Sequence, residues 1–235
     1  MKVISRKLLI ENKETGMQLG EIADLTAGVL TSRVLYDGRR VNHEELKDSA
    51  ELTEKMKESS GVPIKVLVPK AIKNGRIDEK LLEDQVLIKD PKTGKEKNVD
   101  DFKTKDGDIV IKLSSPYDSC LITPEFEGLL IPSFCMKIVV KEKLVKEKLI
   151  DRDFFLAYLS SDFFKTELRN KCHGAVTALT KKSDFMRITV PEVPGEKQIE
   201  IGQRFRKVTQ LENLMNRYRE LERERLDRIL EETGC

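Results

Sequence analysis

The distribution of apolar and polar positions divides the chain into two parts with different periods. Up to about residue 140, apolar residues form short runs separated by charged residues, glycine and proline, which is typical of strands joined by turns. We predict strands in 62–78, 85–102, 105–115 and 128–140, the third with an alternating pattern and the last as a strand pair. One helix is expected to interrupt them in 31–61, so this part is predicted to be mainly β.

From Asp151 onward the apolar residues recur every three or four positions, which indicates helices. Segment 151–174 is predicted to form a pair of helices, with Asp151 and Ser161 as N-caps and Gly174 just beyond the end. A short strand, ended by two prolines, is predicted in 184–194. The strand signal ends there, and the rest of the chain is expected to be helical.

Residues 196–232 carry the pattern of one long helix rich in Arg and Glu, which suits ion pairs along a solvated surface. Its apolar residues follow each other at spacings of three and four and are interpreted as a single stripe: Ile201, Phe205, Val208, Leu211, Leu214, Tyr218 and Leu221. Such a helix cannot bury its stripe alone, and no earlier segment matches its length. We therefore predict a domain over 1–195 and a dimerisation helix over 196–235.

Composition narrows the class of protein. The 235 residues have a net charge of only +2, although 36% of them are charged, so any basic surface must be local. The four cysteines are widely spaced and only two histidines are present, which argues against a structural zinc site and favours reduced thiols. No apolar run is long enough for a signal peptide or a membrane span, so a soluble, cytoplasmic protein is expected.

The sequence contains no glycine-rich nucleotide-binding motif and no nucleophile elbow. Asp37, Glu45 and Lys47 loosely resemble the acidic cluster of nucleases, but such triplets are common in a chain this charged. Cys172 and His173 could form a thiolate–imidazole pair, but adjacent residues rarely face each other, so a structural role is favoured for both. These observations favour a binding module over an enzyme, without a catalytic residue, a metal or a cofactor of its own.

Polar and basic turns are the better candidates for function. Arginine reads guanine edges, whereas Lys, Ser, Thr and backbone N–H groups bind phosphates. Each turn taken singly is more commonly an ordinary solvated loop; together they suggest DNA contacts. The candidate residues are Arg33, Arg39, Arg40, Lys70, Lys73, Ser114, Ser115, Tyr117, Lys171, Gly174, Thr177, Lys181 and Lys182.

Three stretches together resemble a known family. Residues 19–29 (LGEIADLTAGV) are similar to the opening of a target recognition domain of type I restriction–modification specificity subunits. Residues 105–111 (KDGDIVI) resemble a strand midway through that domain, and 154–205 resemble its end, including the Glu-x-Gln-x-x-Ile that opens a spacer helix. The likeness covers about residues 17–232; the prolines of 191–198 and a loop glutamine depart from the usual pattern.

The resemblance implies an α+β fold, with a mainly β target recognition domain and a long C-terminal helix of the coiled-coil type. It implies a non-catalytic chain whose partners are double-stranded DNA, methyltransferase subunits that carry S-adenosylmethionine, and a restriction subunit. Such subunits usually have two recognition domains and two helices, so this chain resembles half of one and is expected to form a homodimer. The alternative is a helix-mediated interaction or structural module without specific DNA binding.

Overall fold

A computed structural model describes residues 15–35, 62–73, 75–87, 98–171 and 180–232. The strands, in chain order, are β1 Met17–Gln18, β2 Ala23–Ala27, β3 Val62–Val66, β4 Ile72–Lys73, β5 Arg76–Ile77, β6 Glu83–Leu87, β7 Ile109–Lys112, β8 Ser119–Leu121, β9 Cys135–Val140 and β10 Thr189–Val190. The helices are α1 Leu19–Ile22, α2 Glu142–Lys146, α3 Arg152–Leu159, α4 Asp162–Lys171, α5 Lys182–Met186 and α6 Gly195–Glu232. The fold class is confirmed as mixed helix and sheet with a long C-terminal helix.

The main sheet has four antiparallel strands in the order β2, β9, β7, β8. Pairing of Ala27 with Met136 and of Lys112 with Cys135 brings the ends of β2 and β7 to the start of β9. Pairing of Ile111 with Ser119 brings the start of β8 to the same end. Three turns therefore meet at one end of this sheet. The smaller pairs β1–β10, β3–β6 and β4–β5 surround it.

Strand β7 is buried on both faces, which corrects the alternating strand predicted from the sequence. Ile109 and Ile111 enter the larger core cluster with Phe154 and Phe155, whereas Val110 enters a second cluster with Ile72. Helices cover one face of the sheet and the β4–β5 segment covers the other. Val110, which points away from the helices, is therefore buried as well. The scaffold of the sheet is thus enclosed on both sides.

Two predicted strands are replaced by other structures. Of the strand pair expected in 128–140, only β9 forms; residues 129–132 are an extended connector, in which Leu130 N donates to Lys65 O at 2.8 Å and Ile131 N donates to Phe102 O at 2.9 Å. Of the strand expected in 184–194, residues 184–186 are the end of α5, which buries Phe185, and only Thr189–Val190 form a strand, β10. Both apolar runs are so short that the spacing of their apolar residues cannot distinguish a strand from a helix or an extended connector.

The predicted pair of helices is confirmed as α3 and α4, and so are both N-caps. The Asp151 carboxylate accepts the Phe154 N–H at 2.8 Å, and the Ser161 hydroxyl accepts the Phe164 N–H at 3.2 Å. The helix predicted in 31–61 falls largely outside the described residues; its first residues, Thr31–Arg33, form a single 3-10 turn. Gly174 also lies outside them.

Helix α6 spans 38 residues, and its beginning is built into the core of the same chain. The buried amide of Gln198 bonds the backbone of Leu149, Asp151 and Val193. A side chain at Gly202 would meet Asp151 Oδ1 at 2.8 Å and the Phe154 backbone nitrogen at 2.9 Å, so only glycine permits this approach of α6 to α3. The helix is therefore anchored over its first three turns.

This anchoring corrects the single dimerisation stripe. Ile201 and Phe205 are 3% and 4% exposed and pack in the larger core cluster of their own chain, so they are not available to a partner. Val208 is half-buried. The other predicted positions are exposed: Leu211 60%, Leu214 65%, Tyr218 64% and Leu221 53%. We call Leu211, Leu214, Met215, Tyr218 and Leu221 the apolar face of α6.

Candidate nucleic-acid interface

The end of the main sheet where β2 and β7 finish collects several turns. These turns are residues 28–35 after β2, 113–118 between β7 and β8, and 132–134 before β9. Residues 180–182 lie against the second of them. We call the surface formed by these four segments the loop edge. Because β9 lies between β2 and β7, the turn 132–134 is at the centre. A side chain at Gly28 would collide with the Pro132 carbonyl oxygen, so glycine allows the first turn to lie against the central one.

Segment 180–182 is fastened to the turn 113–118. Thr180 N donates to Leu113 O at 2.8 Å, and the Thr180 hydroxyl donates to the Tyr117 hydroxyl at 3.3 Å. These bonds bring four predicted residues together on the loop edge: Ser114, Ser115, Lys181 and Lys182. Ser115 and both lysines are exposed, and Ser114 is half-buried. Their hydroxyl and ammonium groups are the types that bind phosphates and base edges.

Tyr117 does not belong to that set. Its side chain is 5% exposed and packs in the larger core cluster, so the prediction that it contacts DNA is contradicted. Tyr117 has a φ of 55°, a left-handed backbone conformation, and its N–H donates to Ser114 O at 2.9 Å. This tight turn directs the ring inward, where its hydroxyl supports Thr180. The residue therefore shapes the loop edge from within.

A partly buried cluster of charges lies next to the same turn. The Asp118 carboxylate accepts hydrogen bonds from Lys112 Nζ at 3.0 Å and from Lys165 Nζ at 3.1 Å. Burial alone would raise the pKa of Asp118, but the hydrogen bonds and positive charges of the two lysines lower it below its ordinary value. The Asp118 carboxyl is therefore ionised at neutral pH, and its ion pairs with the two lysines tie α4 to the turn.

Phe134 is a feature of the loop edge that the sequence interpretation missed. Its side chain is 51% exposed, at the centre of the surface, in a turn closed by Cys135 N donating to Pro132 O at 2.9 Å. The Phe134 carbonyl accepts the Leu113 N–H at 2.9 Å, which fixes it beside Ser114. The apolar run around it predicts a strand pair, whereas the Pro-Ser pair before it is the signal of a turn that could have identified it.

The remaining predicted residues are more dispersed. Arg33 is exposed in the Thr31–Arg33 turn that follows β2, on the loop edge. Lys70 is exposed but lies 3.0 Å from the Glu83 carboxylate, and Lys73 is exposed in β4. These two lysines belong to a segment that packs beside α6 rather than to the turns of the loop edge.

The other candidates lie at or beyond the boundaries of the described residues. Lys171 is the last residue of α4. The following residues lie outside the part of the chain that the structure describes: Arg39, Arg40, Gly174 and Thr177 among the predicted DNA contacts, and Asp37, Glu45, Lys47, Cys172 and His173 among the alternatives. Within the described ranges, no three His, Cys, Asp or Glu side chains are grouped so as to hold a metal ion. No helix among the described residues is long and apolar enough to cross a membrane.

No family model matches the chain, and no curated protein matches it. Among solved structures, it is similar to the HsdS subunit from Thermoanaerobacter tengcongensis, with 15% identity, a TM-score of 0.48, and coverage of 86% of this chain and 39% of that one. A chain from a structure on complex assembly and conformational transition of the type I R-M system has 16% identity, a TM-score of 0.48, and coverage of 90% and 44%.

The type IIG restriction endonuclease BpuSI is also similar, with 10% identity, a TM-score of 0.51, and coverage of 85% of this chain and 27% of the endonuclease. The chain thus spans less than half the length of each of these structures. At such identities the likeness concerns the fold. The fold of this chain is therefore similar to part of a type IIG restriction endonuclease, and HsdS specificity subunits are among its structural neighbours.

Proposed function

We propose that this chain recognises a DNA sequence for a restriction–modification system and binds the duplex through its loop edge. The observation that carries the proposal is the grouping of exposed Ser115, Lys181 and Lys182 around Phe134 at one end of an enclosed sheet. The order of sequence motifs that resemble type I specificity subunits supports it, as does the fold similarity to a restriction endonuclease.

The groups on the loop edge divide into two kinds of contact. Lys181 and Lys182 carry exposed ammonium groups, which suit contacts with phosphates. Such contacts raise the affinity for any duplex without reading its sequence. Arg33, Ser114 and Ser115 lie on the turns that flank the centre, and their side chains suit hydrogen bonds to base edges. Phe134 would be the apolar contact at the centre.

The proposed assembly is a homodimer formed through the apolar face of α6. Its five residues are 53–65% exposed, which leaves a large apolar area in water when the chain is alone. Pairing two copies about a twofold axis buries this face and holds two loop edges over two half-sites of an interrupted palindrome. Methyltransferase subunits, which bind S-adenosylmethionine, would supply the chemistry in the cytoplasm, together with a restriction subunit.

The test compares the methylated DNA motifs of the host with and without the gene. We expect one bipartite motif to disappear when the gene is deleted and to return when it is restored. In vitro, the chain with its methyltransferase should select that motif from random duplexes. An unchanged set of methylated motifs, together with no selection in vitro, would refute the proposal.

A charge variant locates the binding surface. Replacing Lys181 and Lys182 by alanine should weaken binding to all duplexes and lower the slope of log K against log salt by about 0.9 for each phosphate that the variant no longer neutralises. The matched control is the pair Lys143→Ala and Lys146→Ala in α2, which follows the opposite end of β9. Both control lysines are exposed, so the change in net charge is the same. Equal weakening in both double variants would rule out the loop edge.

The alternative function is an interaction module that dimerises without reading DNA, and the apolar face of α6 favours it. Such a protein would form the same dimer. It would show no preference among duplexes even when a methyltransferase subunit is present. The selection experiment therefore separates the two functions, because both predict dimers and only one predicts a motif.

A further inference from the structure

Helix α6 continues to touch the β-domain after it leaves the core at Phe205. The turn between β4 and β5 contains Gly75, whose φ is 81°. A side chain at Gly75 would meet the Phe205 ring at 3.3 Å and Thr209 Cγ2 at 3.6 Å. The backbone of this turn therefore lies directly on the helix surface, and both its left-handed conformation and its neighbours favour glycine.

A second contact follows three turns further along the helix. Lys80 Nζ lies 3.4 Å from the Glu220 carboxylate, with side chains 75% and 55% exposed. Glu220 is 11 residues beyond Thr209, which is about 16 Å along a helix axis. Residues 72–73 and 75–80, which we call the brace, therefore run beside α6 rather than touching it at one point.

The helix presents opposite faces to the brace and to solvent. At 3.6 residues per turn, Phe205, Thr209 and Glu220 lie within a sector of about 60°. The half-buried residues of this part of the helix lie on the same side; they are Val208, Thr209, Glu212, Asn213 and Asn216. Leu214 is about 180° from Phe205, and it is exposed with the rest of the apolar face. The brace thus supports α6 without covering the surface that a second copy would use.

We propose that the brace fixes the angle between α6 and the β-domain and thereby sets the spacing between the two half-sites; this inference rests on the proposed function. Without the brace, the helix pivots where its core contacts end, at Phe205. Glu232 is 27 residues, or about 40 Å, beyond that pivot. A tilt of about 5° then displaces it by about 3.4 Å, which is one base-pair step.

The principal variant is Thr209→Trp, which places a large ring between the helix and the Gly75 turn. Its matched control is Gln203→Trp, at an exposed position of the same helix. Binding is measured, with the methyltransferase present, on duplexes in which the spacer between fixed half-sites is lengthened or shortened. We expect Thr209→Trp to reduce the preference for the native spacer about fivefold, or about 1 kcal/mol. Half-site sequence and the control should be unchanged.

A charge series tests the second contact without adding bulk. Lys80→Glu and Glu220→Lys each place like charges together and should broaden spacer preference, whereas the double exchange should restore it. Amide hydrogen exchange of residues 206–220 measures the brace without DNA and should quicken in Thr209→Trp but not in Gln203→Trp. If Thr209→Trp does not fold, the charge series decides.

The outcomes separate this inference from the proposed function. Native spacer preference in Thr209→Trp and in both single charge reversals, with half-sites still read, would overturn the brace alone. Failure of the wild-type chain to select any half-site would overturn the proposed function. In that case unchanged exchange of 206–220 in Thr209→Trp would overturn the brace as well, and faster exchange would retain it as the support of the helix.

Discussion

Replacing Gln198 by leucine tests how α6 is joined to the rest of the chain. Gln198 is 4% exposed. Its amide nitrogen donates to Leu149 O at 2.9 Å and to Val193 O at 2.8 Å, and its amide oxygen accepts the Asp151 N–H at 2.8 Å. Leucine has similar volume and no polar atom, so the substitution removes three hydrogen bonds while keeping most of the packing.

The magnitude follows from what remains behind. A buried backbone group that loses its partner costs about 1–3 kcal/mol. Asp151 is half-buried and Leu149 is 51% exposed, so water partly replaces the bonds to the Asp151 N–H and to the Leu149 carbonyl, and the lower half of that range applies to both. We therefore expect the free energy of unfolding to fall by about 3–4 kcal/mol for the three groups.

Urea unfolding at equilibrium measures this decrease as a lower midpoint with an unchanged slope. The matched control is Gln203→Leu, which changes the same side chain at an exposed position of the same helix. It should shift the free energy by less than about 0.5 kcal/mol. A decrease below about 1 kcal/mol in Gln198→Leu would show that α6 is held by apolar packing alone and not by these three hydrogen bonds.

Three further predictions concern the loop edge and the helix. Phe134→Ala should weaken binding at one thymine, because the thymine methyl is the apolar group of the major groove; replacing that thymine by uracil should then affect the wild type and not the variant. Asp118→Asn should cost most stability near neutral pH. In the wild type, the stabilisation by the ionised Asp118 is fully present above the ordinary carboxyl pKa of 3.8 and is lost as the pH falls through the lower pKa of the folded state. The free energies of unfolding of wild type and variant should therefore converge in acid. Leu214→Asp should convert dimers to monomers in sedimentation without changing the unfolding midpoint of the β-domain, since Leu214 is 65% exposed; retained dimers would exclude the apolar face as the contact.

Local features of the sequence predict part of this structure well. The helical period from Asp151 to Leu168 and the capping residues Asp151 and Ser161 act over one or two turns, so no distant residue is needed to interpret them. The long helix α6 is predicted for the same reason. The sequence does not predict how Tyr117 and Phe134 point, because one turn directs its ring inward and the other outward, and such directions depend on backbone bonds to distant segments.

The single stripe predicted on α6 is wrong for a reason that the sequence itself contains. The steps from Phe205 to Val208, Leu211 and Leu214 are each of three residues. Each such step lags a full turn by about 60°, so three of them carry the apolar positions about half-way around the helix. The pattern therefore describes two successive faces, one for the chain's own core and one for solvent.

The enclosure of β7 between two apolar clusters has an evolutionary consequence. Ile109, Val110 and Ile111 keep the strand in place from both sides, while exposed residues of the turns at this end of the sheet, such as Ser115 and Phe134, lie outside the core clusters. Substitutions at these exposed positions should therefore change what the surface recognises at small cost in stability. A protein built in this way can acquire a new target while inheriting its framework unchanged.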